Sequence, residues 1–301
     1  MSHNGRAALL MVLSMAAFAG EDTLLKLLSA ALPTGQLLLL VGFGGMLAYG
    51  LWIAMRTTVA WRDLLHPGVM IRNLADGLCA IFYIVALQRG DLSIVSAILQ
   101  ALPLLMTLGA ALFLGEPVGW RRWLSIALGF IGVLMIVRPG TDAFEPSNLL
   151  AVVAVILLAV RDLATRRLPP RIDTGLVTAS AFGMMGLSGI VLMVLGGQAF
   201  IMPSLGQSGA LAATLAVGLL GYVTMVIATR LGEISAIAPF RYSRLIFAIV
   251  LGVLVFGERP DAWTLSGGAI IALAGIYTMW REARTRRRLV STPMDTPLPP
   301  A

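Results

Sequence analysis

The chain has 301 residues, 58% of them hydrophobic and only 12% charged, with a formal net charge of +7. A soluble domain carries about 25% charged residues, so this composition excludes an ordinary water-soluble globular fold and describes a chain that lives in lipid. The basic excess is not a nucleic-acid signal, because the arginines collect at the ends of apolar runs and form no single patch.

Apolar runs long enough to cross about 30 Å of hydrocarbon as helices lie near residues 7–28, 34–55, 69–88, 92–114, 119–138, 147–168, 174–195, 209–230, 234–256 and 262–281. Lipid accepts only helices or closed barrels, because backbone groups must pair internally there, and the alternation of a barrel strand is missing. Ten transmembrane helices are therefore expected. The first run contains "AGEDTLLK", residues 19–26, which places Glu21, Asp22 and Lys26 in an otherwise apolar segment. Arg6 and "AFA" at 17–19 also imitate a signal peptide, but the apolar stretch continues past the supposed cleavage point. The third run carries Asp76 and, seven residues on and on the same helical face, Tyr83. Cys79 is the sole cysteine, so no intrachain disulfide can form. Pro103 is expected to kink the fourth span. The sixth run holds Arg161, Asp162 and Arg166 towards its end. The seventh has Gly183, Gly186 and Gly189, and the tenth has Gly267, Gly268 and Gly275, all suited to close helix contact. The ninth opens with "PFRYSRL", residues 239–245, where Pro239 loosens the first turn and Arg241 and Arg244 share a face with Tyr242 on its flank. Residues 282–301, ending in "STPMDTPLPPA", read as a disordered tail.

Charge counting orients the spans. With the N-terminus in the cytoplasm, fifteen arginines fall in inner segments and three, Arg89, Arg138 and Arg259, in outer loops. The positive-inside rule then puts both termini in the cytoplasm, with the chain in a bacterial-type inner membrane.

The two halves of the chain resemble each other. "ALQRGDLSIVSAILQALPLLMTLGAALFLGE" at 86–116 aligns with "ATRLGEISAIAPFRYSRLIFAIVLGVLVFGE" at 228–258, matching Ala86, Gly90, Ser93, Leu112, Gly115 and Glu116 to Ala228, Gly232, Ser235, Leu254, Gly257 and Glu258. A slightly different offset lays "GEDTLLK" over "VRDLATR", so that Asp22 meets Asp162 and Lys26 meets Arg166. Five spans per half is an odd number, so the second copy enters the membrane from the opposite side. Inverted repeats are a construction plan of secondary transporters, with a site at mid-membrane between the halves. Residues 7–138 and 147–281 are the two expected repeats.

With fourth and ninth spans closing in "LFLGEP" and "VFGERP", the chain resembles the drug/metabolite transporter superfamily in its EamA branch. That resemblance implies an all-α membrane protein with ten helices in two inverted five-helix repeats around a central cavity, carrying small metabolites, commonly amino acids or drugs outward. "TLLK" at 23–26 also resembles the first helix of small multidrug exporters, but their proton-carrying glutamate is replaced here by Phe18, which speaks against proton-driven drug antiport.

Glu21, Asp22, Asp76 and Asp162 balance Lys26, Arg161, Arg241 and Arg244 within the spans. Each would cost about 2.5–3.5 kcal/mol at the bilayer centre, so they are expected to face inward, as pairs or around a wet cavity. The candidate substrate site comprises Glu21, Asp22, Asp76, Tyr83, Arg241, Tyr242 and Arg244, with Lys26 and Asp162 as gate or ion-pair residues. Glu21 and Asp22, then Asp76, are the acids expected to answer the two arginines. The alternative is that the same pairs only clamp the repeats together. The expected activity is movement of a small polar or zwitterionic metabolite, most plausibly amino acid export, with adenosylmethionine or a cationic drug as alternative cargo. The expected partners are a small-molecule substrate, membrane lipid and a proton or an exchanged solute, with no nucleic acid. No cofactor, metal or catalytic constellation is read, and an intramembrane enzyme is the rival from another class.

Overall fold

A computed structural model describes residues 3–55, 61–116, 119–231, 233 and 237–290. Arg56, one of the fifteen inner arginines, Pro117, the last residue of "LFLGEP", the repeat residues Gly232 and Ser235, and residues 291–301 of the expected tail lie outside the described residues. The described residues form helices and no strands. In chain order these are α1 (His3–Ser29), α2 (Thr34–Ala54), α3 (Pro67–Arg89), α4 (Leu92–Leu99), α5 (Leu102–Phe113), α6 (Trp120–Val137), α7 (Pro146–Arg166), α8 (Thr174–Leu195), α9 (Leu205–Leu231), α10 (Ser243–Phe256) and α11 (Ala262–Val290), with 3-10 turns at Trp61–Leu65 and Ala238–Tyr242. Among the described residues, ten stretches are long and apolar enough to cross a membrane, α4 with α5 making one and the second 3-10 turn with α10 another. α11 runs on to Val290, through residues 282–290 of the expected tail. "REARTRRRLV" contains no Gly or Pro to stop a helix and is rich in strong helix formers.

Local chemistry sets several boundaries. His66 caps α3, its Nδ1 accepting the Gly68 N–H at 3.1 Å with Pro67 at the first helical position, and Asp173 caps α8 through the Leu176 N–H at 2.9 Å. The fourth span breaks outright at Gln100 and Ala101 where a kink was expected, because Pro103 has no N–H for the carbonyl four residues back. The ninth span has its own interruption, the 3-10 turn holding Pro239, and resumes as α-helix at Ser243, the position that the repeat aligns with Ala101. The prolines differ between the copies, yet the break falls at the same place.

The most extensive helix contacts are α2 with α8, α1 with α9, α3 with α7 and α6 with α11. All of them join one half of the chain to the other. Exchanging each span for its counterpart turns α1 against α9 into α7 against α3 and returns the other two pairs to themselves, as a pseudo-two-fold requires. Lipid tails are as apolar as the side chains, so close backbone approach must replace the hydrophobic effect here. A Cβ on Gly42 of α2 would strike the Gly186 backbone of α8 and lie 2.8 Å from the Phe182 carbonyl, and one on Gly132 of α6 would lie 2.8 Å from the Gly267 carbonyl of α11.

The helices alternate in direction, so Arg62, Arg72, Arg121, Arg166, Arg171 and Arg230 gather at one end of the bundle, here the arginine-rich end. Towards the far end, Leu92, Val95 and Ile98 of α4 pack with Leu245 and Ala248 of α10 and Ile271 of α11 into a buried plug.

The α2–α8 seam yields a controlled test. Overpacking a tight contact costs about 1–3 kcal/mol, so Gly42→Ala should lower the melting temperature in detergent. Gly50→Ala, whose Cβ meets nothing within 4 Å, should leave it unchanged or raise it.

Candidate functional site

Below the plug, the two halves enclose a chamber of about 440 Å³. Met15 and Phe18 of α1, Gln100 and Thr107 around the break in the fourth span, and Arg241 and Arg244 of the ninth span form its walls. Glu116, Arg122 and Arg166 line it towards the arginine-rich end. Glu116 and Arg166 are each about half exposed, which marks this end as the mouth.

Asp22, Tyr83 and Arg244 join three helices beside the chamber, and of the three only Arg244 lines it. Arg244 Nη2 lies 2.6 Å from Asp22 Oδ2, Tyr83 Oη donates to Asp22 Oδ1 at 2.6 Å, and Arg244 Nη2 also donates to Tyr83 Oη at 3.2 Å. Asp22 is 3% exposed. The Arg244 guanidinium stands 5.6 Å from the centre of the Phe18 ring, adding a cation–π contact. The expectation that the first helix answers an arginine of the ninth therefore holds for Asp22.

Glu21 is placed elsewhere. Its carboxylate lies against Gly218 of α9, 2.6 Å from where a Cβ would sit, and it forms no hydrogen bond or ion pair with a described residue. Consecutive helical residues point about 100° apart, so Glu21 and Asp22 cannot address one site. Asp76 also stays away from the arginines of the ninth span. It pairs with Arg161 of α7 at 3.0 Å and with Arg72 at 3.8 Å, while Arg161 binds Asp162 at 2.7 Å. The reason is the packing of α3 along α7, which meets Asp76 with a closer base.

Arg241 is the cation left over. It makes no hydrogen bond or ion pair with a described residue, and its side chain is exposed within the chamber lining. Tyr242 also touches the chamber, but it is 6% exposed and its hydroxyl presses on Gly275 of α11 without a hydrogen-bond partner. Of the charged side chains on the wall, Arg122, Arg166, Arg241 and Arg244 outnumber Glu116 and Asp162. With Arg244 answered by Asp22 from behind, the surplus is positive and suited to a carboxylate.

Lys26 belongs to a second cluster beyond the plug. Its Nζ donates to the Gly90 carbonyl at 2.6 Å and to Glu258 Oε1 at 3.0 Å, and it sits 4.8 Å from the centre of the Phe256 ring. Glu258 also accepts from the Leu92 N–H at 2.6 Å, the Ser93 N–H at 2.9 Å and the Ser93 hydroxyl at 2.6 Å, so it caps α4. Burial pushes the Glu258 carboxyl up, but the bonds from Ser93, Lys26 and Leu92 outweigh it and hold the group below the ordinary glutamate range. Neighbouring Asp91 is raised, by burial and then by the Glu258 charge. Glu258 was read from the sequence only as a repeat marker. Its recurrence with Glu116 after the fourth span of each half was the signal that could have found it.

A model of the EamA-like transporter family matches residues 5–138 and 146–281. The chain is 30% identical over 201 residues to an "S-adenosylmethionine uptake transporter" of Rickettsia felis, across 62% of this chain and 63% of that one, so it spans less than two thirds of that relative's length. It is 28% identical over 271 residues to the "Pseudopaline exporter CntI" of Pseudomonas aeruginosa, covering 89% of this chain and 94% of the relative. A "Riboflavin transporter" of Rhizobium johnstonii is 29% identical over 239 residues, 78% of this chain and 75% of its own. One solved crystal structure superposes with a TM-score of 0.56 at 21% identity, covering 94% of this chain and 97% of the other, a likeness of fold alone.

Removing one member of a buried ion pair strands the other, at about 3–5 kcal/mol. Arg244→Ala and Asp22→Asn should each lower thermal stability in detergent, and the combination Asp22→Asn with Arg244→Gln should recover most of the loss. A double variant no better than the singles would refute the pairing. The Glu258 cap behaves differently with pH. Its pKa in the folded chain is depressed, so its stabilisation is present above the ordinary value of 4.5 and is lost only as pH falls through the lower folded value. The stability gap between wild type and Glu258→Gln, read by thermal melts, should stay constant from neutral pH down to about 5 and close only below the ordinary glutamate range.

Proposed function

This chain belongs to the EamA-like transporter family, and we propose that it is an inner-membrane carrier moving a small zwitterionic metabolite by alternating access, with amino acid export as the first reading. The observation that carries this reading is Arg241, a guanidinium open to the chamber with no described partner. A guanidinium held in a low-dielectric site attracts a carboxylate far more strongly than it does in water, and its two parallel donors match the two oxygens. Asp162, also on the wall, offers an acid for an ammonium group. A zwitterion spanning the two would have its carboxylate met by Arg241 and its ammonium by Asp162, which keeps Arg161 as well.

The positive-inside rule places the arginine-rich end in the cytoplasm, so the state described here is open inward. A solute entering from that side meets Arg166 and Glu116 at the mouth, then Arg241. Asp22, Tyr83 and Arg244 are bonded to one another beside it, with Arg244 on the chamber wall and its Nε left without a hydrogen-bond partner. No ATP-binding motif occurs in the sequence, so concentrating work would come from a proton or an exchanged solute.

Adenosylmethionine is the second reading, favoured by the likeness to the Rickettsia felis transporter. It carries the same amino acid head group, so Arg241 would hold its carboxylate too, and the two readings differ at the other end of the molecule. Phe18 is already engaged by Arg244 and is a poor cage for the sulfonium.

Counterflow in proteoliposomes separates these possibilities. Vesicles preloaded with the right solute should accelerate uptake of its label, tested across amino acids, adenosylmethionine and cationic dyes, with and without a pH gradient. Arg241→Gln should raise the half-saturating concentration about tenfold or more for a carboxylate-bearing solute, the worth of one charged hydrogen bond, with little effect on its carboxamide analogue. Equal effects on acid and amide would remove the assigned role of Arg241, and counterflow by cationic dyes alone would overturn the zwitterion reading.

A further inference from the structure

The two Gly-Glu motifs share one local structure. Gly115 and Gly257 both adopt the left-handed conformation, with φ of 66° and 67°. The following glutamate N–H then reaches back to a helix carbonyl in each copy, Glu116 to Ala110 at 3.2 Å and Glu258 to Gly252 at 3.0 Å. This is how a helix commonly ends, with glycine at the position a side chain disfavours. Each motif also faces the base that the repeat aligns with the other, Lys26 for Glu258 and Arg166 for Glu116. The chain thus carries the same glutamate–base pair at both ends of the bundle.

The pairs are in different states. At the far end the Glu258 and Lys26 side chains are 4% and 13% exposed, 3.0 Å apart, and Glu258 also caps α4. Gly252 makes room for it, since a Cβ there would strike the Glu258 carboxylate and lie 2.7 Å from the Ser93 hydroxyl. At the arginine-rich end the Glu116 and Arg166 side chains are 46% and 45% exposed and 3.8 Å apart, and both stand at the chamber mouth. The tight pair is at the sealed end and the loose pair at the open end.

We propose that the two motifs are reciprocal latches: Glu258 with Lys26 holds the far end shut in the state described here, and Glu116 with Arg166 holds the arginine-rich end shut in the opposite state. Each glutamate lies just past the broken span of its own repeat, and Glu258 grips the first turn of the broken span in the other. A latch opening at one end therefore frees α4 and α10 to move with the plug between them. The two pairs are made of the same residue classes on the same local fold, so the two closed states are close in energy, as a carrier needs if neither is to trap it. This inference rests on the chain being an alternating-access carrier and is independent of which solute it carries.

Accessibility of single cysteines tests it without any substrate. In a Cys79→Ser background, Ser96→Cys reports the far end, where Ser96 is 1% exposed behind the latch, and Thr107→Cys reports the chamber. Membrane-impermeant maleimide is applied to oriented vesicles from either face. Glu258→Gln should raise far-face labelling of Ser96→Cys about tenfold, the loss of one charged hydrogen bond, and lower labelling of Thr107→Cys from the arginine-rich face. Lys26→Met, which leaves the helix cap in place, should shift both signals the same way by less, and it decides the matter alone if Glu258→Gln fails to fold. Adding Glu116→Gln should return both signals towards wild type. Unchanged labelling, a rise at both reporters together, or a shift that persists when Glu116→Gln is added would overturn the latches. Failure of the proposed solute in counterflow would leave this result standing.

Discussion

An ionised side chain in hydrocarbon is costly unless it is answered, and the arrangement of this bundle follows from how most of them are. Asp22 is taken by Arg244 and Tyr83, Asp76 and Asp162 by Arg161, and Glu258 by Lys26 and the first turn of α4. The Asp22, Glu258 and Asp76 pairs join a helix of one half to a helix of the other, so electrostatic neutrality and assembly of the halves are one requirement. A buried pair is weak evidence for net stability but strong evidence for register, since separating its members leaves a bare charge in a medium that cannot solvate it.

Against that background the unanswered groups stand out. Arg241 makes no hydrogen bond or ion pair with a described residue and opens into the chamber, whereas Arg244, three residues later on the same face, is tied to Asp22 and Tyr83 through Nη2. The inverted repeat relates the two ends of the bundle to each other. Its strongest contacts cross between halves, its broken spans interrupt at equivalent positions, and its far end is plugged while its arginine-rich end is open. On the proposed alternating-access reading, a two-fold-related pair of halves makes the exchanged arrangement accessible at similar energy.

Much of this was legible in the chain. Ten apolar runs, the arginine asymmetry, the two Gly-Glu motifs and the odd number of spans per half lead to an inverted ten-helix bundle before any coordinates are considered. At the candidate site, Asp22 and the arginines of "PFRYSRL" were identified because charges are rare enough in spans to be conspicuous. Tyr83, read on the same helical face as Asp76, bonds Asp22 and does not line the chamber. Glu21 and Asp76 were assigned to the wrong neighbourhood, and Glu258 was passed over because it lies just outside a span, where a carboxylate raises no alarm.

The sequence by itself determined the number of spans, their opposed duplication and the inventory of charges that cannot face lipid, because each follows from transfer cost and helix length alone. Only the tertiary structure decided which acid meets which base. That choice depends on the rotation and axial offset of each helix against its neighbours, fixed by backbone contacts such as Gly42 on Gly186, and a turn of 100° on one helix is enough to send Glu21 to α9 and Asp22 to Arg244.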